Sequence, residues 1–371
     1  MKEIEGVKQK FLALSLQGVH PGLLSRLLRA YLEGDQEVIG GKKEARTADL
    51  LRYLREEPPP KEDPTLLLKK HASSEYGLWV CSYFDPDYPA LLKELVDPPA
   101  LLYGRGEIQA LRAPSVSLVG TRKASSYGLT QANRFARFLA QAGLVVVSGL
   151  ALGVDGAAHR GALEAGGRTL AVLPCGADQI YPQAHVKLAS EICRTGGALL
   201  TEYPPGQVAQ KHHFILRNRI IAGLSRATLV VEARKKSGTM ITAHHAAEQS
   251  RDLYALPGNI SQPRSAGCNW LIRHGAILAA DPLDLLASYE DLALDRPGAA
   301  LGPVGTSGGD LPEPEQLIYD TLSKESLPPV LLYERLHDQL PDFWVYVTRL
   351  ELRGIIYRDA SGQFALSGNK A

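Results

Sequence analysis

Cysteine is scarce in this sequence of 371 residues, and the few cysteines lie far apart. No two form a C-x-x-C pair, and none stands at zinc-ligand spacing from a histidine, which excludes a disulfide framework and a zinc module. We predict that all of them are reduced and buried as small apolar side chains. They are Cys81, Cys175, Cys193 and Cys268.

Long apolar runs are also missing. No stretch of about 18 apolar residues could span a bilayer, and the N-terminal residues MKEIEGVKQKF lack the apolar segment and cleavage site of a secretory signal. We therefore expect a cytoplasmic protein with no membrane partner. The formal net charge of +1 decides nothing about nucleic acid, because binding depends on a local basic face rather than on the total.

The length that is present predicts more than one domain, because an ordinary domain has about 100 to 200 residues. Residues 1–75 have leucines at helical spacing, interrupted at residues 18–22 by Gly-Val-His-Pro-Gly, which predicts a small helical domain. The interruption resembles the hairpin of helix-hairpin-helix and sterile-alpha-motif (SAM) modules, whose backbone amides approach phosphate. An ordinary helix–helix turn explains the same residues at least as well.

Residues 76–292 alternate short apolar runs with helical stretches. Nearly every run is apolar on both faces, as in strands of a parallel sheet that is buried between helices. This pattern predicts a doubly wound α/β domain. The predicted strands are residues 115–119, 144–148, 169–173, 198–202, 228–232 and 252–256.

The last part of the chain predicts a linker and a third domain. Residues 293–312 are the linker, since residues 296–310 hold five glycines and two prolines. Residues 313–371 predict a winged helix, with helices at 313–322, 329–336 and 343–353 and two short strands around 355–357 and 364–366. Its third helix could enter a DNA groove through Arg349 and Arg353. A protein contact or a purely structural role fits equally well.

Loops that contain glycine follow the predicted strands. Ligands of open parallel sheets bind at the carboxyl ends of the strands, where tight turns and helix N-termini present backbone amides to anions. One such loop alone would be structural, but their coincidence with cations predicts a phosphate-binding groove. None is a dinucleotide fingerprint or a P-loop. The loops are residues 120–122, 148–156, 175–178 followed by Tyr181-Pro182, and 234–239.

Positive charge is concentrated in one segment of the chain. Between residues 208 and 240, seven Lys or Arg residues stand against a single acid. With Phe214 and His213 interleaved, this composition suits a nucleic-acid strand whose phosphates meet cations and whose bases stack on a ring. We place Arg217-Asn218-Arg219 in the first turn of a buried helix, with the arginines directed toward a cleft.

An enzyme must also be considered. Asp155, Glu202 and Glu232 lie at or near strand ends, where carboxylates could serve acid–base catalysis. The sequence has no H-E-x-x-H motif, no G-x-S-x-G motif and no spaced Cys/His set, so we predict no catalytic residue, no metal site and no cofactor. Asp155 and His159 would share a helix face, where a mutual hydrogen bond that orients the loop explains them as well as catalysis does. The other candidate histidines are His212, His213, His244 and His245.

A series of short motifs runs through about 200 residues of the predicted α/β domain. It comprises DYP (87–89), PPALLY (98–103), VGTR (119–122), YG (127–128), SGLALGVDGAAH (148–159), Gly176, YP (181–182), TEYPPG (201–206), FILRNRIIAGLS (214–225), EARKKSGTMITA (232–243), LPGNI (256–260), GCNWLI (267–272) and HGA (274–276). In this order the motifs resemble the DprA/Smf family of bacterial DNA-processing proteins. The flanking helical and winged-helix segments resemble that family in layout only.

The resemblance implies an extended Rossmann domain that dimerises and binds single-stranded DNA without being an enzyme. It also implies loading of the recombinase RecA during natural transformation, or competence, and homologous recombination. Thr121 replaces the family's usual serine, and Gln183 stands where the family commonly has a DNA-contacting lysine, a role that Lys187 could take from the next turn. By position, the DNA-binding residues would be Gly120, Thr121, Arg122, Ser148, Gly149, Lys187, Phe214, Arg217, Asn218, Arg219, Ser237, Gly238 and Thr239.

The same resemblance places the dimer surface, which overlaps the RecA contact, late in the α/β domain. Its residues would be Gly267, Cys268, Asn269, Trp270, Leu271 and Ile272. The expected partners are single-stranded DNA, RecA and a second copy of the chain, with duplex DNA a further candidate for the winged helix. We expect Arg122, Arg217 and Arg219 to engage phosphates and Phe214 to stack on a base. Two alternatives stay open: a nucleotide-processing hydrolase, such as a phosphoribohydrolase-like enzyme with the three carboxylates, and a scaffold that works through its terminal domains.

Overall fold

The computed structural model describes residues 2–33, 44–60, 64, 77–292, 294, 311–352, 355–358 and 362–366. The chain divides into two compact units, Met1–Leu294 and Asp295–Ala371. The predicted domain boundary at residues 75 and 76 lies outside the described residues, and so does the predicted linker apart from residues 294, 311 and 312. The limits of the individual domains stay predictions.

Three helices open the first unit: α1 (Lys2–Leu16), α2 (Pro21–Glu33) and α3 (Glu44–Glu56). Their apolar residues recur every three or four positions and therefore lie on one side of each helix. The core that they form contains Phe11 and Leu27 and also Tyr103 of the sheet. The Tyr103 hydroxyl donates a hydrogen bond to Ser15 Oγ at 2.7 Å. The N-terminal helices thus share a core with the sheet.

A nine-stranded sheet forms the centre of the first unit. Its strands are β1 (Trp79–Ser82), β2 (Leu101–Gly106), β3 (Ser115–Val119), β4 (Val145–Ser148), β5 (Thr169–Val172), β6 (Ala198–Thr201), β7 (Ala227–Val230), β8 (Asp252–Ala255) and β9 (Ile277–Leu278). They lie in the order β1-β2-β6-β5-β4-β3-β7-β8-β9. The seven neighbouring strands β6, β5, β4, β3, β7, β8 and β9 run parallel to one another. Strand β2 pairs antiparallel with both β1 and β6. All six predicted strands occur, which confirms the predicted α/β class and its large, mostly parallel sheet.

The strand order reverses at β3. The strands β4, β5 and β6 are added on one side of β3, and the chain then returns to place β7 on its other side. In open α/β sheets, a crevice forms outside the carboxyl ends of the strands at such a point. The topology therefore positions a ligand site beside the ends of β3, β4 and β7.

Helices cover both faces of the sheet. They are α4 (Ala90–Lys93), α5 (Ser126–Gln141), α6 (Val154–Glu164), α7 (Val186–Arg194), α8 (Lys211–Gly223), α9 (Gly238–Glu248) and α10 (Ala266–Arg273), with 3-10 turns at Ile108–Arg112, Gln183–His185 and Pro282–Tyr289. One core contains Phe135, Leu139 and Tyr289, and a second core contains Leu92 and Ile221. This double cover explains why the strands are apolar on both sides.

Helix α8 begins at Lys211, so the prediction that residues 217–219 form its first turn was wrong. The preceding helix breakers are at residues 204–206 (Pro-Pro-Gly), and no glycine or proline interrupts residues 211–216. Arg217 and Arg219 therefore lie well inside the helix. Since successive residues are turned by about 100° around a helix axis, these two side chains point in different directions.

The second unit contains three helices, α11 (Glu313–Leu322), α12 (Pro329–Leu336) and α13 (Phe343–Leu352), and an antiparallel hairpin of β10 (Ile356–Arg358) and β11 (Phe364–Leu366). Its core includes Ile318, Leu332, Phe343 and Phe364. The elements occur in the predicted order. Arg353, one of the two cations predicted on the third helix, lies outside the described residues.

Two expectations from the scarce residue types can be compared with the structure. The four cysteines are free and buried, as predicted. Burial raises the pKa of the Cys81 thiol to about 12, which keeps it protonated at neutral pH. Within the described ranges, no helix is long and apolar enough to cross a membrane.

Candidate nucleic-acid interface

A cavity of 430 Å³ opens at the carboxyl end of β3, at the point where the strand order reverses. Its walls are formed by the loops after β3 and β4, by one side of α8 and by the first turn of α9. It is lined by Val119, Gly120, Thr121, Arg122, Ala151, Asp155, Phe214, Ile215, Arg217, Asn218, Ile221, Ser237, Gly238, Thr239 and Thr242. Residues that are far apart in the sequence thus meet at one site.

The loops after β3 and β4 pack backbone against backbone. Gly153 has a φ of 80°, and a Cβ atom there would lie 2.4 Å from the carbonyl oxygen of Thr121. A Cβ atom at Gly120 would lie 2.5 Å from Val154 Cγ2. Any side chain at these two positions would push the loops apart. The glycines therefore allow Thr121 and Arg122 to approach the cavity.

A cation and two aromatic rings form the rim. The Arg122 guanidinium lies 4.8 Å from the centroid of the Phe214 ring. The Tyr181 ring meets the Phe214 ring edge to face at 5.3 Å, and Tyr181 is 46% exposed. Exposed rings offer stacking surfaces to bases, while an arginine beside them meets a phosphate. The rim has the components of a single-strand binding site.

The first turn of α9 forms the opposite wall. Ser237, Gly238 and Thr239 line the cavity there, and Asn218 Nδ2 donates a hydrogen bond to the Gly238 carbonyl at 3.3 Å. The first N–H groups of a helix have no partner within it, and the helix dipole makes this end positive. This wall therefore favours an anion such as a backbone phosphate.

A buried pair of opposite charges forms the floor. One Arg217 Nη atom donates hydrogen bonds to the carbonyls of Gly149, at 2.8 Å, and Val172. Asp155 Oδ2 accepts hydrogen bonds from the N–H groups of Gly149 (3.2 Å) and Ala151 (3.4 Å). Burial lowers the pKa of Arg217 to about 10, so it stays charged at neutral pH, while burial raises the pKa of Asp155 against the opposing effect of Arg217. Both side chains hold the loop after β4.

Two histidines fix the centre of the same loop. Leu150 has a φ of 56°, and its N–H donates to His159 Nε2 at 3.3 Å while its carbonyl accepts from His185 Nδ1 at 2.8 Å. His159 Nδ1 lies 2.7 Å from the hydroxyl of Thr169. Burial lowers the pKa of His159 to about 3, which keeps the ring neutral. The proposed mutual hydrogen bond between His159 and Asp155 is replaced by separate bonds from each side chain to the loop backbone.

Arg219 lies outside the cavity, contrary to its predicted contact with phosphate. It forms a buried ion pair with Glu202 and donates a hydrogen bond to the Asp97 carbonyl at 2.9 Å. Its side chain is only 6% exposed. Residues two apart on a helix do not face each other, so Arg219 is directed away from the wall that Arg217 helps to form.

The structure brings together nine of the thirteen predicted DNA-binding residues as lining of the cavity. Ser148 is fully buried, with its hydroxyl bonded to the Leu118 carbonyl at 2.6 Å, and Gly149 lies behind Arg217. Lys187 is exposed on α7 and does not line the cavity. The prediction omitted Tyr181, whose aromatic ring directly after the third loop was the available signal. The nine residues are Gly120, Thr121, Arg122, Phe214, Arg217, Asn218, Ser237, Gly238 and Thr239.

Comparison with known proteins identifies the family. The model of the DNA recombination-mediator protein A family matches residues 79–290, which is more than half of the chain. The chain belongs to this family. Protein Smf of Escherichia coli is 38% identical over 272 residues, covering 72% of each chain, and DNA processing protein DprA of Streptococcus pneumoniae is 42% identical over 221 residues, covering 59% of this chain and 78% of that protein.

Solved structures of DNA recombination-mediator protein A relatives have the same fold. The X-ray structure of DprA from Streptococcus pneumoniae superposes with a TM-score of 0.60 at 35% identity, covering 76% of this chain and 96% of that one. A structure of DNA processing protein A from Helicobacter pylori, described for its single-stranded DNA binding mode, gives a TM-score of 0.53 at 32% identity and covers 58% of this chain and 96% of that one.

In this member of the DNA recombination-mediator protein A family, the three carboxylates considered for acid–base catalysis lie apart. Only Asp155 lines the cavity, since Glu202 pairs with Arg219. The Glu232 carboxylate accepts hydrogen bonds from the N–H and the hydroxyl of Ser125, each at 2.8 Å. Among the described residues, no group of three or more His, Cys, Asp or Glu side chains is placed to hold a metal ion. Each carboxylate has its own structural partner.

The segment predicted to contact a second copy and RecA is largely internal. Gly267, Cys268 and Leu271 are buried in the chain itself, so their part in the contact that the family resemblance implies stays a prediction. Asn269 uses its amide to bind the N–H and carbonyl of Gly258, at 3.2 and 2.9 Å. Trp270 is 39% exposed, whereas the predicted neighbour Ile272 is half-buried. Buried and exposed residues alternate in this segment because it forms the short helix α10, of which only one face is directed to solvent.

Proposed function

We propose that this protein binds single-stranded DNA in the cavity beside α8 and α9 and holds the strand without cutting it. The observation that carries the proposal is the rim, where Arg122 lies over the ring of Phe214 next to the exposed ring of Tyr181. Cations for phosphates and rings for bases are the recurring components of single-strand sites. The Helicobacter pylori relative, described for its single-stranded DNA binding mode, supports the same assignment.

The charge distribution in the cavity favours binding of a DNA strand over hydrolysis of a nucleotide. Among the described residues, Asp155 is the one acid that lines the cavity, and its carboxylate is held by backbone amides near the cationic Arg217. A hydrolase would need a carboxylate or a histidine free to exchange a proton with water or substrate. The exposed positive charge at the rim and the helix N-terminus instead suit binding along a phosphate backbone.

Replacing Arg122 with alanine is expected to weaken binding about tenfold for every sequence and to reduce the slope of log affinity against log salt by about 0.7, because one phosphate contact is lost. The measurement is fluorescence anisotropy with a labelled strand of about 30 nucleotides, longer than a typical single-strand site. Arg137→Ala, which removes an exposed arginine from the fourth turn of α5, is the matched control.

Wild-type affinity and an unchanged salt slope for Arg122→Ala would contradict this site. Displacement of the strand by a mononucleotide would favour the hydrolase, and displacement by duplex would contradict a preference for single strands.

We further propose that the protein acts in the cytoplasm in natural transformation and homologous recombination, as a homodimer that loads RecA. The exposed residues beside the end of the sheet support a contact surface: Trp270, Ile277 and Leu278 are 39, 46 and 47% exposed. Strand β9 is also the last strand of the sheet, and an edge strand has unpaired backbone groups that a second copy can cover.

Trp270→Asp is expected to convert the dimer to a monomer and to abolish capture of purified RecA, because it places a charge in the apolar contact. Sedimentation and a pull-down measure the two effects. Val96→Asp, at a position that is 75% exposed elsewhere in the first unit, is the control. If Trp270→Asp sediments like the wild type, another surface forms the dimer.

For the second unit we propose a winged helix that contacts duplex DNA. The order of three helices and a hairpin supports this assignment, and Arg349 provides an exposed cation on α13.

A further inference from the structure

A second cavity, of 550 Å³, is lined by Ser125, at the end of the segment that follows β3. Its lining includes Ser125, Tyr127, Glu232, Asn259, Gln262 and Arg264. We propose that it is a second nucleotide subsite, which takes a further nucleotide of the same DNA strand. The inference rests on the proposed function and extends it, because it adds a position on the strand and a preference among bases.

One short segment joins the two cavities. Thr121 lines the first cavity and Ser125 lines the second. Glu232 bridges them, since its carbonyl accepts the Thr121 N–H at 2.8 Å and its carboxylate binds Ser125. Four steps along the chain, from Thr121 to Ser125, span at most about 14 Å. A strand that leaves the first cavity therefore reaches the second within a few nucleotides.

The surface between the cavities carries positive charge. Arg122 and Lys123, both exposed, lie on the connecting loop between Thr121 and Ser125. Exposed cations in sequence along a groove follow the backbone of a bound strand. The loop thus supplies a continuous path for phosphates from one cavity to the other.

The second cavity repeats the chemistry of the first. The Tyr127 ring is 46% exposed and is fixed by its hydroxyl, which donates to the Pro257 carbonyl at 3.1 Å. Arg264 is half-buried, and within the described residues its side chain has neither a hydrogen bond nor an ion pair. Exposed Asn259 and Gln262 add amides that can bind the edge of a base. A ring, an unpaired cation and amides together match one nucleotide.

The buried carboxylate of Glu232 orients that nucleotide. It is 4% exposed, and no described cation pairs with it. Each of its oxygens accepts one hydrogen bond from Ser125 and keeps a lone pair for a second donor in the cavity that Glu232 lines. A carboxylate repels phosphate but accepts a hydrogen bond from the amino group of cytosine, adenine or guanine. The base therefore points to Glu232 and stacks on Tyr127, while the phosphate meets Arg264, and thymine is the least favoured base.

The test compares labelled oligodeoxycytidylates of about 4 and about 12 nucleotides, lengths at the lower end and inside the range of single-strand site sizes. Tyr127→Ala and Arg264→Gln should each weaken binding of the longer strand about tenfold, the size expected for the loss of one stacked base or one phosphate contact. Binding of the shorter strand, which has fewer nucleotides to extend beyond the first cavity, should be weakened less than binding of the longer one. Tyr127→Phe keeps the ring but loses the bond to Pro257, so it should weaken binding less than Tyr127→Ala does, and Arg137→Ala is the charge control.

A second readout locates the strand directly. Photo-crosslinking with a single 5-iododeoxycytidine moved along the longer strand should label Tyr127 from one position and Phe214 or Tyr181 from another. Wild-type affinity of both variants for the longer strand, with crosslinks confined to the first cavity, would overturn the second subsite alone. Failure of the wild type to bind any strand, or indifference to Arg122→Ala, would instead overturn the proposed function itself.

Discussion

Replacing Glu202 with alanine is expected to lower the free energy of unfolding by about 3 to 5 kcal/mol, because it leaves the Arg219 charge buried without its partner. Both side chains of the pair are at most 6% exposed. The remaining contacts of Arg219, to the carbonyl and the carboxylate of Asp97, involve a residue whose side chain is half-exposed. The measurement is urea unfolding at neutral pH. The slope of the unfolding free energy against urea concentration should be the same in the variant and the wild type.

The double variant Glu202→Leu with Arg219→Leu should recover most of the lost stability, since apolar residues of similar volume can replace a buried ion pair. Arg226→Ala, which breaks the exposed pair of Arg226 and Asp291, should change stability little and serves as the control. A small loss for Glu202→Ala would contradict the burial of the pair. If the double variant loses DNA binding but keeps its stability, Arg219 takes part in DNA binding after all.

Acid is expected to destabilise the protein through His159. Its pKa is about 3 in the folded protein and 6.5 ordinarily. Between these values the unfolded chain binds a proton that the folded chain does not, so stability is complete above pH 6.5 and falls as the pH falls. Between these two pKa values, the free energy of unfolding should fall by up to about 1.4 kcal/mol for each unit by which the pH is lowered.

The comparison is with His159→Gln, whose side chain is uncharged at every pH and can still accept the Leu150 N–H. Urea unfolding of both proteins at several pH values between 7 and 4 should give a shallower decline for the variant. His244→Gln alters an exposed histidine and should decline in parallel with the wild type. Equal slopes for His159→Gln and the wild type would mean that the ring is not held neutral in the folded state.

The sheet could be predicted from the sequence because each buried strand is recognisable by apolar residues on both of its faces. The loops that line the first cavity could be predicted because they follow those strands. What could not be predicted is how neighbouring charges divide between the interior and the cavity. Arg217 and Arg219 look like one basic patch, but Glu202, from the loop after β6, draws Arg219 to the other side of α8.

The exposure of individual residues within the predicted contact segment, residues 267–272, could not be predicted for a similar reason. A continuous motif is divided by helical periodicity, so Cys268 and Leu271 enter the core while Trp270 remains at the surface. The second cavity could not be predicted from the sequence. Tyr127 and Arg264 come from elements that meet only after β8 is placed beside β7.

The loop after β4 has a consequence for the speed of recognition. With Leu150 held at both its N–H and its carbonyl, and with Gly149 and Ala151 bonded to Asp155, the floor of the cavity is held in place by the protein's own hydrogen bonds. A preformed site loses little conformational entropy on binding. If the proposed function is correct, encounter with a DNA strand should approach the rate set by diffusion and charge attraction, and differences in affinity between sequences should appear in how long the strand stays bound.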